Sequence, residues 1–266
     1  MTDIEKLLSI MRQLRDPDTG CPWDLQQDFL SLLPYTLEEV YEVVDAIERA
    51  DYRHLSEELG DLLFQIVFYA QIGSERGLFD MTAIIDGIAA KLLIRHPHVF
   101  DKMGDNNEID MHELHLAWEA RKQNDRAEKG IDNLLGDIPL ALPALQRAHK
   151  IQSRLARTGF DWSSASEVLL QVRAELDELE QAMQMHDAAA CSDELGDVLF
   201  SCINLARHLH LDSEAALRRC NTKVSDRIGW MEKTLRQRQE QWSDCTMDEL
   251  EALWQAAKAS LKSSHD

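Results

Sequence analysis

Five carboxylates stand at helical spacing in the first half of the chain. Glu38, Glu39 and Glu42 come first, and fifteen residues later Glu58 and Asp61 follow. Acids three apart share one face of a helix, so each group aims its carboxylates one way. Two such helices packed antiparallel bring four or five acids around one point. There they repel one another unless a cation sits among them, and oxygen-only donors favour Mg²⁺, with Mn²⁺ as a substitute. The set then returns: Glu39, Glu42, Glu58 and Asp61 recur at a constant offset of 136 as Glu175, Glu178, Glu194 and Asp197. Glu38 has no counterpart, because position 174 is alanine.

Other landmarks recur with small changes of offset. Lys91-x-x-x-Arg95 matches Lys223-x-x-x-Arg227, Trp118-x-x-x-Lys122 matches Trp254-x-x-x-Lys258, and Thr19-Gly20-x-x-Trp23 matches Thr158-Gly159-x-x-Trp162. A Lys and an Arg one helical turn apart suit a phosphate chain, the one as a point charge and the other as a bidentate fork. Salt-bridging in so acidic a chain is the competing reading. Trp118 and Trp254 can stack on any nucleobase, or simply pack. Trp23 and Trp162 adjoin turns and read as packing residues. His96 and His98 flank Pro97 and read as the close of a helix. His112-x-x-His115 has helical spacing but no copy in the second half. Glu39 also lies three residues after Thr36, the spacing of a capping box.

Long runs rich in Leu, Ala, Glu and Gln, with only 11 Gly and 6 Pro, predict an all-α fold. Helices are expected over residues 2–15 and 25–33, the latter ended by Pro34. Thr36 caps the next, which runs to about residue 50. Others follow over about 54–73, 81–95 and 111–124. Gly60, beside Asp61, disfavours its helix by about 1 kcal/mol against Ala and implies close approach of a neighbour or ligand. The duplication divides the chain into an N-terminal domain (1–124), a linker (125–143) and a C-terminal domain (144–266).

The net charge of −20 argues against a partner gripped through phosphates of nucleic acid. No apolar run reaches membrane-spanning length. Five widely spaced cysteines without Cys-x-x-Cys suggest free thiols in the cytoplasm, and Asp3 and Glu5 argue against a signal or transit peptide. Glu-x-x-His pairs of di-iron bundles are absent from the acid sets, as is the Gly-x-x-x-x-Gly-Lys-Ser/Thr loop of P-loop NTPases.

Taken together, Glu38-Glu39-x-x-Glu42 with Glu58-x-x-Asp61, Cys21-Pro22-Trp23-Asp24, Pro34-Tyr35-Thr36-Leu37-Glu38-Glu39 and Arg95-His96-Pro97-His98-Val99-Phe100 closely resemble MazG. This is the tandem-domain nucleoside triphosphate pyrophosphohydrolase family of bacteria. The resemblance covers nearly the whole chain, Arg157-Thr158-Gly159-Phe160-Asp161-Trp162 included. It implies an all-α fold with a four-helix-bundle core completed by homodimerisation. It also implies Mg²⁺-dependent hydrolysis of NTPs and dNTPs, including ATP, to the monophosphate and pyrophosphate with loose base preference, the second domain being catalytic. Glu175, Glu178, Glu194 and Asp197 are then the catalytic metal site. Lys223, Arg227 and Trp254 become nucleotide contacts, with Glu38, Glu39, Glu42, Glu58, Asp61, Lys91, Arg95 and Trp118 as the N-terminal copy. A pyrophosphatase restricted to dUTP or a damaged nucleotide, and a non-catalytic helical interaction protein, are the alternative readings.

Overall fold

The computed structural model describes residues 3–100 and 133–262. Among them every regular element is helical. They fall into two compact units, one within Met1–Arg121 and one within Lys122–Asp266.

In the first unit α1 (Asp3–Leu14), α2 (Pro22–Gln26), α3 (Leu33–Glu48), α4 (Tyr52–Glu75), α5 (Met81–Arg95) and the short α6 (Pro97–Phe100) follow one another. The expected helix over residues 25–33 is replaced by α2, with Pro22 in its first turn, where a missing N–H is harmless. Pro34 likewise opens α3 instead of ending a helix. Thr36 is therefore inside the first turns of α3 rather than its cap. Its hydroxyl bonds the Leu32 carbonyl at 3.1 Å and the Tyr69 hydroxyl at 2.8 Å, tying α3 to α4.

The core of this unit gathers Met11, Leu32, Val67, Phe68, Ala70, Ile72 and Met81 from α1, the α2–α3 loop, α4 and α5. Arg15 fastens its edge. Its guanidinium donates to Glu75 (Nε–Oε1 2.9 Å, Nη2–Oε2 2.6 Å) and to the Gln27 carbonyl, and lies 5.4 Å from the centre of the Phe68 ring.

The second unit contains α7 (Ala144–Ala156), α8 (Ala165–Gln184), α9 (Ala188–His208), α10 (Ser213–Arg238), a 3₁₀ turn (Trp242–Asp244) and α11 (Met247–Lys262). Residues 133–143 lie against α7, where Arg154 pairs with Asp137 and donates to the Leu134 carbonyl. Met231, Leu235, Leu253 and Ala257 form a core between α10 and α11.

The duplication reaches the detail of the turns that aim the acids. The α3–α4 turn passes through Ala50 at φ 54°, and the α8–α9 turn passes through His186 at φ 57°, 136 residues later. Each is a helix C-terminus closed by a left-handed residue. Asp51 N–H returns to the Ala46 carbonyl and Asp187 N–H to that of Ala182, both alanines being buried. The carboxylates of Asp51 and Asp187 then cap the following helix.

The close approach expected at Gly60 is not found among the described residues: outside its own helix, a Cβ there, or at the equivalent Gly196, would meet no described atom within 4 Å. Around these glycines Leu59, Leu63, Ile66, Leu195 and Leu199 are exposed. Among the described residues, nothing covers this apolar outer face of either hairpin.

The Arg15 bonds hold the Glu75 carboxyl below its usual range, against the opposing effect of burial. Such a group stabilises the folded state above its unfolded pKa, near 4.3, and the contribution disappears as pH falls through the folded value. Glu75→Gln should therefore destabilise by about 1–3 kcal/mol at pH 7, since it leaves a mostly buried guanidinium short of its partner. Urea midpoints measured from pH 7 to pH 3 should show wild type and variant converging at the acid end.

Candidate active site

Each hairpin brings its acids together. In the first unit Glu39 and Glu42 on α3 meet Glu58 on α4, with one carboxylate oxygen from each lying within 4.8 Å of the others. In the second, Glu175 on α8 meets Glu194 and Asp197 on α9 within the same limit. The fourth members, Asp61 and Glu178, stand outside these trios but within electrostatic reach. Asp61 raises the pKa of Glu39 and Glu58, and Glu178 is the first charge acting to raise that of Glu194. Glu38 is exposed, about 100° around α3 from Glu39, and does not join the cluster.

Desolvation is the largest cause of the raised pKa at Glu39, Glu58 and Glu194, and neighbouring carboxylates add to it. In the first unit Glu42 and Asp61 press on both Glu39 and Glu58. In the second Glu178, Asp197, Glu175 and Asp193 all press on Glu194. Oxygen-only donors and mutual repulsion together suit a hard divalent cation.

Three polar neighbours complete the sites. In the first unit His54 Nε2 lies 3.0 Å from Glu58 Oε1, opposing the upward shift, and the amide of buried Gln65 bonds Glu39. The Oε1 atom of Gln65 has no hydrogen-bond partner, an orphaned buried oxygen next to the acids. In the second unit Gln171 Nε2 donates to Glu175 Oε1 at 2.7 Å. None of the three was singled out from the sequence. His54 and Gln171 precede their acids by four residues, and Gln65 follows Asp61 by four, so one-turn spacing was the available signal.

The basic and aromatic candidates are distributed unequally. The Arg227 guanidinium lies 5.0 Å from the centre of the Trp254 ring, so two of the three candidates in the second unit are one stacked pair. Trp254 also packs against the Met231–Leu235 core, while Lys223 is exposed on α10. In the first unit Lys91 is exposed on α5 and Arg95 is half-buried at its end. Trp118, Lys122, His112, His115 and the side chain of His98 lie outside the described residues.

Residues 27–100 and 163–231 match the family model of the MazG nucleotide pyrophosphohydrolase domain. Both acid sets and both Lys-x-x-x-Arg pairs fall inside the matched segments. A nucleoside triphosphate pyrophosphohydrolase of Escherichia coli (strain K12) is 45% identical over 260 residues, spanning 97% of this chain and 98% of that protein. A nucleoside triphosphate pyrophosphohydrolase/pyrophosphatase MazG of Thermotoga maritima is 38% identical over 254 residues, spanning 96% and 95%. The crystal structure of a mazG-related protein from Thermotoga maritima aligns with 45% of this chain and 98% of its own, at 29% identity and a TM-score of 0.38. This chain belongs to the MazG family.

Repelling carboxylates predict a signed response to metal. In EDTA, the paired substitution Glu58→Gln and Glu194→Gln should leave the melting temperature unchanged or raise it, because one repelling charge is removed from each cluster. Adding Mg²⁺ or Mn²⁺ should raise the wild-type melting temperature by linkage and leave the variant nearly unmoved. An equal rise in both proteins would separate the metal from these clusters.

Proposed function

We propose that the protein is an enzyme that hydrolyses nucleoside triphosphates, ribo- and deoxyribo-, to the monophosphate and pyrophosphate, with Mg²⁺ as the cofactor and Mn²⁺ as a substitute. The observation that carries this reading is the pair of all-oxygen carboxylate trios at equivalent points of a duplicated hairpin in a MazG-family chain. Glu175, Glu194 and Asp197 would hold the cation in the second unit, with Glu178 beside them. Glu39, Glu42, Glu58 and Asp61 would do so in the first, with the Gln65 carbonyl oxygen beside them. A bound Mg²⁺ supplies charge neutralisation along the triphosphate and lowers the pKa of water.

The chain's own groups do the rest. Glu178, beside the second trio rather than in it, accepts the proton of the attacking water. The water oxygen bonds the α-phosphorus as the bond from that phosphorus to the bridging oxygen breaks. Pyrophosphate leaves with its charge met by Lys223 and Arg227. Trp254, with Arg227 against one side of its ring, presents a flat surface to the nucleobase, which any base can use, and loose base preference follows. The second unit is taken as the catalytic one on family resemblance.

The apolar outer faces of the hairpins support a homodimer in which paired hairpins complete a four-helix bundle. Among the described residues no helix is long and apolar enough to cross a membrane. That observation and five free cysteines support a cytoplasmic enzyme of the nucleotide pool, and the net charge of −20 disfavours nucleic acid as a partner.

Turnover of ATP in ¹⁸O-enriched water with Mg²⁺ tests the chemistry. AMP carrying the label and unlabelled pyrophosphate are expected, whereas labelled pyrophosphate, or ADP and phosphate, would contradict attack at the α-phosphorus. Glu178→Ala and Glu194→Ala should each lower kcat/KM by about 10²-fold or more, and Glu42→Ala with Glu58→Ala should leave most of it. The reverse pattern would move the working site to the first unit.

A further inference from the structure

At the far end of the catalytic hairpin of the second unit lies a cavity of about 660 Å³, between α7, the end of α9 and the start of α10. His149 and Lys150 enter it from α7, Arg207 from α9, His210 from the turn, and Asp212 and Ser213 from the opening of α10. Four of these six side chains are basic or can become so, in a chain where 48 acids outnumber 28 Lys and Arg. We propose that this cavity binds a phosphate-bearing anion between pyrophosphate and a mononucleotide in size, at a site separate from the acid cluster.

The charges facing the cavity are unequally committed. The Asp212 carboxylate caps α10, accepting from Ala215 N–H at 2.9 Å. Glu214, one residue beyond Ser213, faces Arg218 at 4.0 Å. Arg207 is fixed by Asn204 through Nε and Nη2 and by Asp161 through Nη2, which leaves Nη1 for a ligand. Asp161 also accepts from His208 at 3.0 Å, so the loop carrying it is latched to the end of α9. No hydrogen bond or ion pair within the described residues engages the side chains of His149, Lys150 or His210. Each carries an N–H group that can donate to an anion. The opening N–H groups of α10, a helix of 26 residues, add partial positive charge at the same place.

Position separates this cavity from the metal cluster. Arg207 follows Asp197 by ten residues on α9, about 15 Å along the helix. The volume falls within the range of small-molecule sites, roughly 300–1,000 Å³, and exceeds what a single phosphate fills. Pyrophosphate and a nucleoside monophosphate are both products of the proposed reaction, but the site is defined by anion chemistry and does not depend on turnover.

Binding is tested with the full chain in EDTA, where the acid clusters lack a metal to hold phosphates. Calorimetric titration with inorganic phosphate, pyrophosphate and AMP should give one saturable site for pyrophosphate, AMP or both. AMP binding more tightly assigns the nucleoside to the cavity, and pyrophosphate binding more tightly assigns an inorganic ligand. Lys150→Glu and His149→Ala should each weaken that site tenfold or more, and Lys223→Ala with Arg227→Ala should leave it unchanged. Lys150 is exposed, so circular dichroism and melting temperature should match wild type in its variant. Absence of saturable binding, or binding indifferent to Lys150→Glu, overturns the proposal.

Discussion

Carboxylates held close enough to repel are the constraint on which this molecule turns. Glu175, Glu194 and Asp197, and separately Glu39, Glu42 and Glu58, present oxygens within 4.8 Å of one another. Left alone, such groups swing apart into solvent or take up protons, and the carboxyl pKa values of Glu39, Glu58 and Glu194 are raised first by desolvation and then by their acidic neighbours. The frame must therefore be stiff. It is built from two helices joined by a three-residue turn, closed by a left-handed residue, a buried alanine and an aspartate cap. All three devices recur 136 residues apart.

The two copies spend this common frame differently. The first adds His54 to Glu58 and a buried Gln65 to Glu39, whereas the second adds Gln171 to Glu175 and has a serine where Gln65 would stand. The fourth acid also differs, being Asp61 on α4 in one and Glu178 on α8 in the other. Trp254 packs on the second unit's own core and carries the Arg227 guanidinium against its ring, so a proposed nucleotide contact also helps hold α10 against α11.

Much of this was legible from spacing. Helical periodicity marked the long elements, and the offset of 136 tied the acids of the two halves into one repeated unit. Spacing says which face a residue occupies, not how far its carboxylate reaches, so the trio in each half could not be separated from the fourth acid. Pro34 is compatible with either end of a helix, and here it opens α3, where Thr36 meets Tyr69 across to α4. Gly60 suggested a close neighbour, yet no described residue outside its own helix approaches it, and its flank is apolar and exposed. The Asp161–Arg207 latch joins residues 46 apart and has no local signature.

The claim that these acids exist to hold a cation against a triphosphate is tested most directly by anomalous scattering. Crystals grown with Mn²⁺ and a non-hydrolysable nucleoside triphosphate analogue would be measured at the manganese edge. A manganese peak bounded by the carboxylates of Glu175, Glu194 and Asp197, with the analogue's phosphates against it, is the predicted result. An analogue bound with its phosphates elsewhere, and no manganese among these carboxylates, would contradict the account.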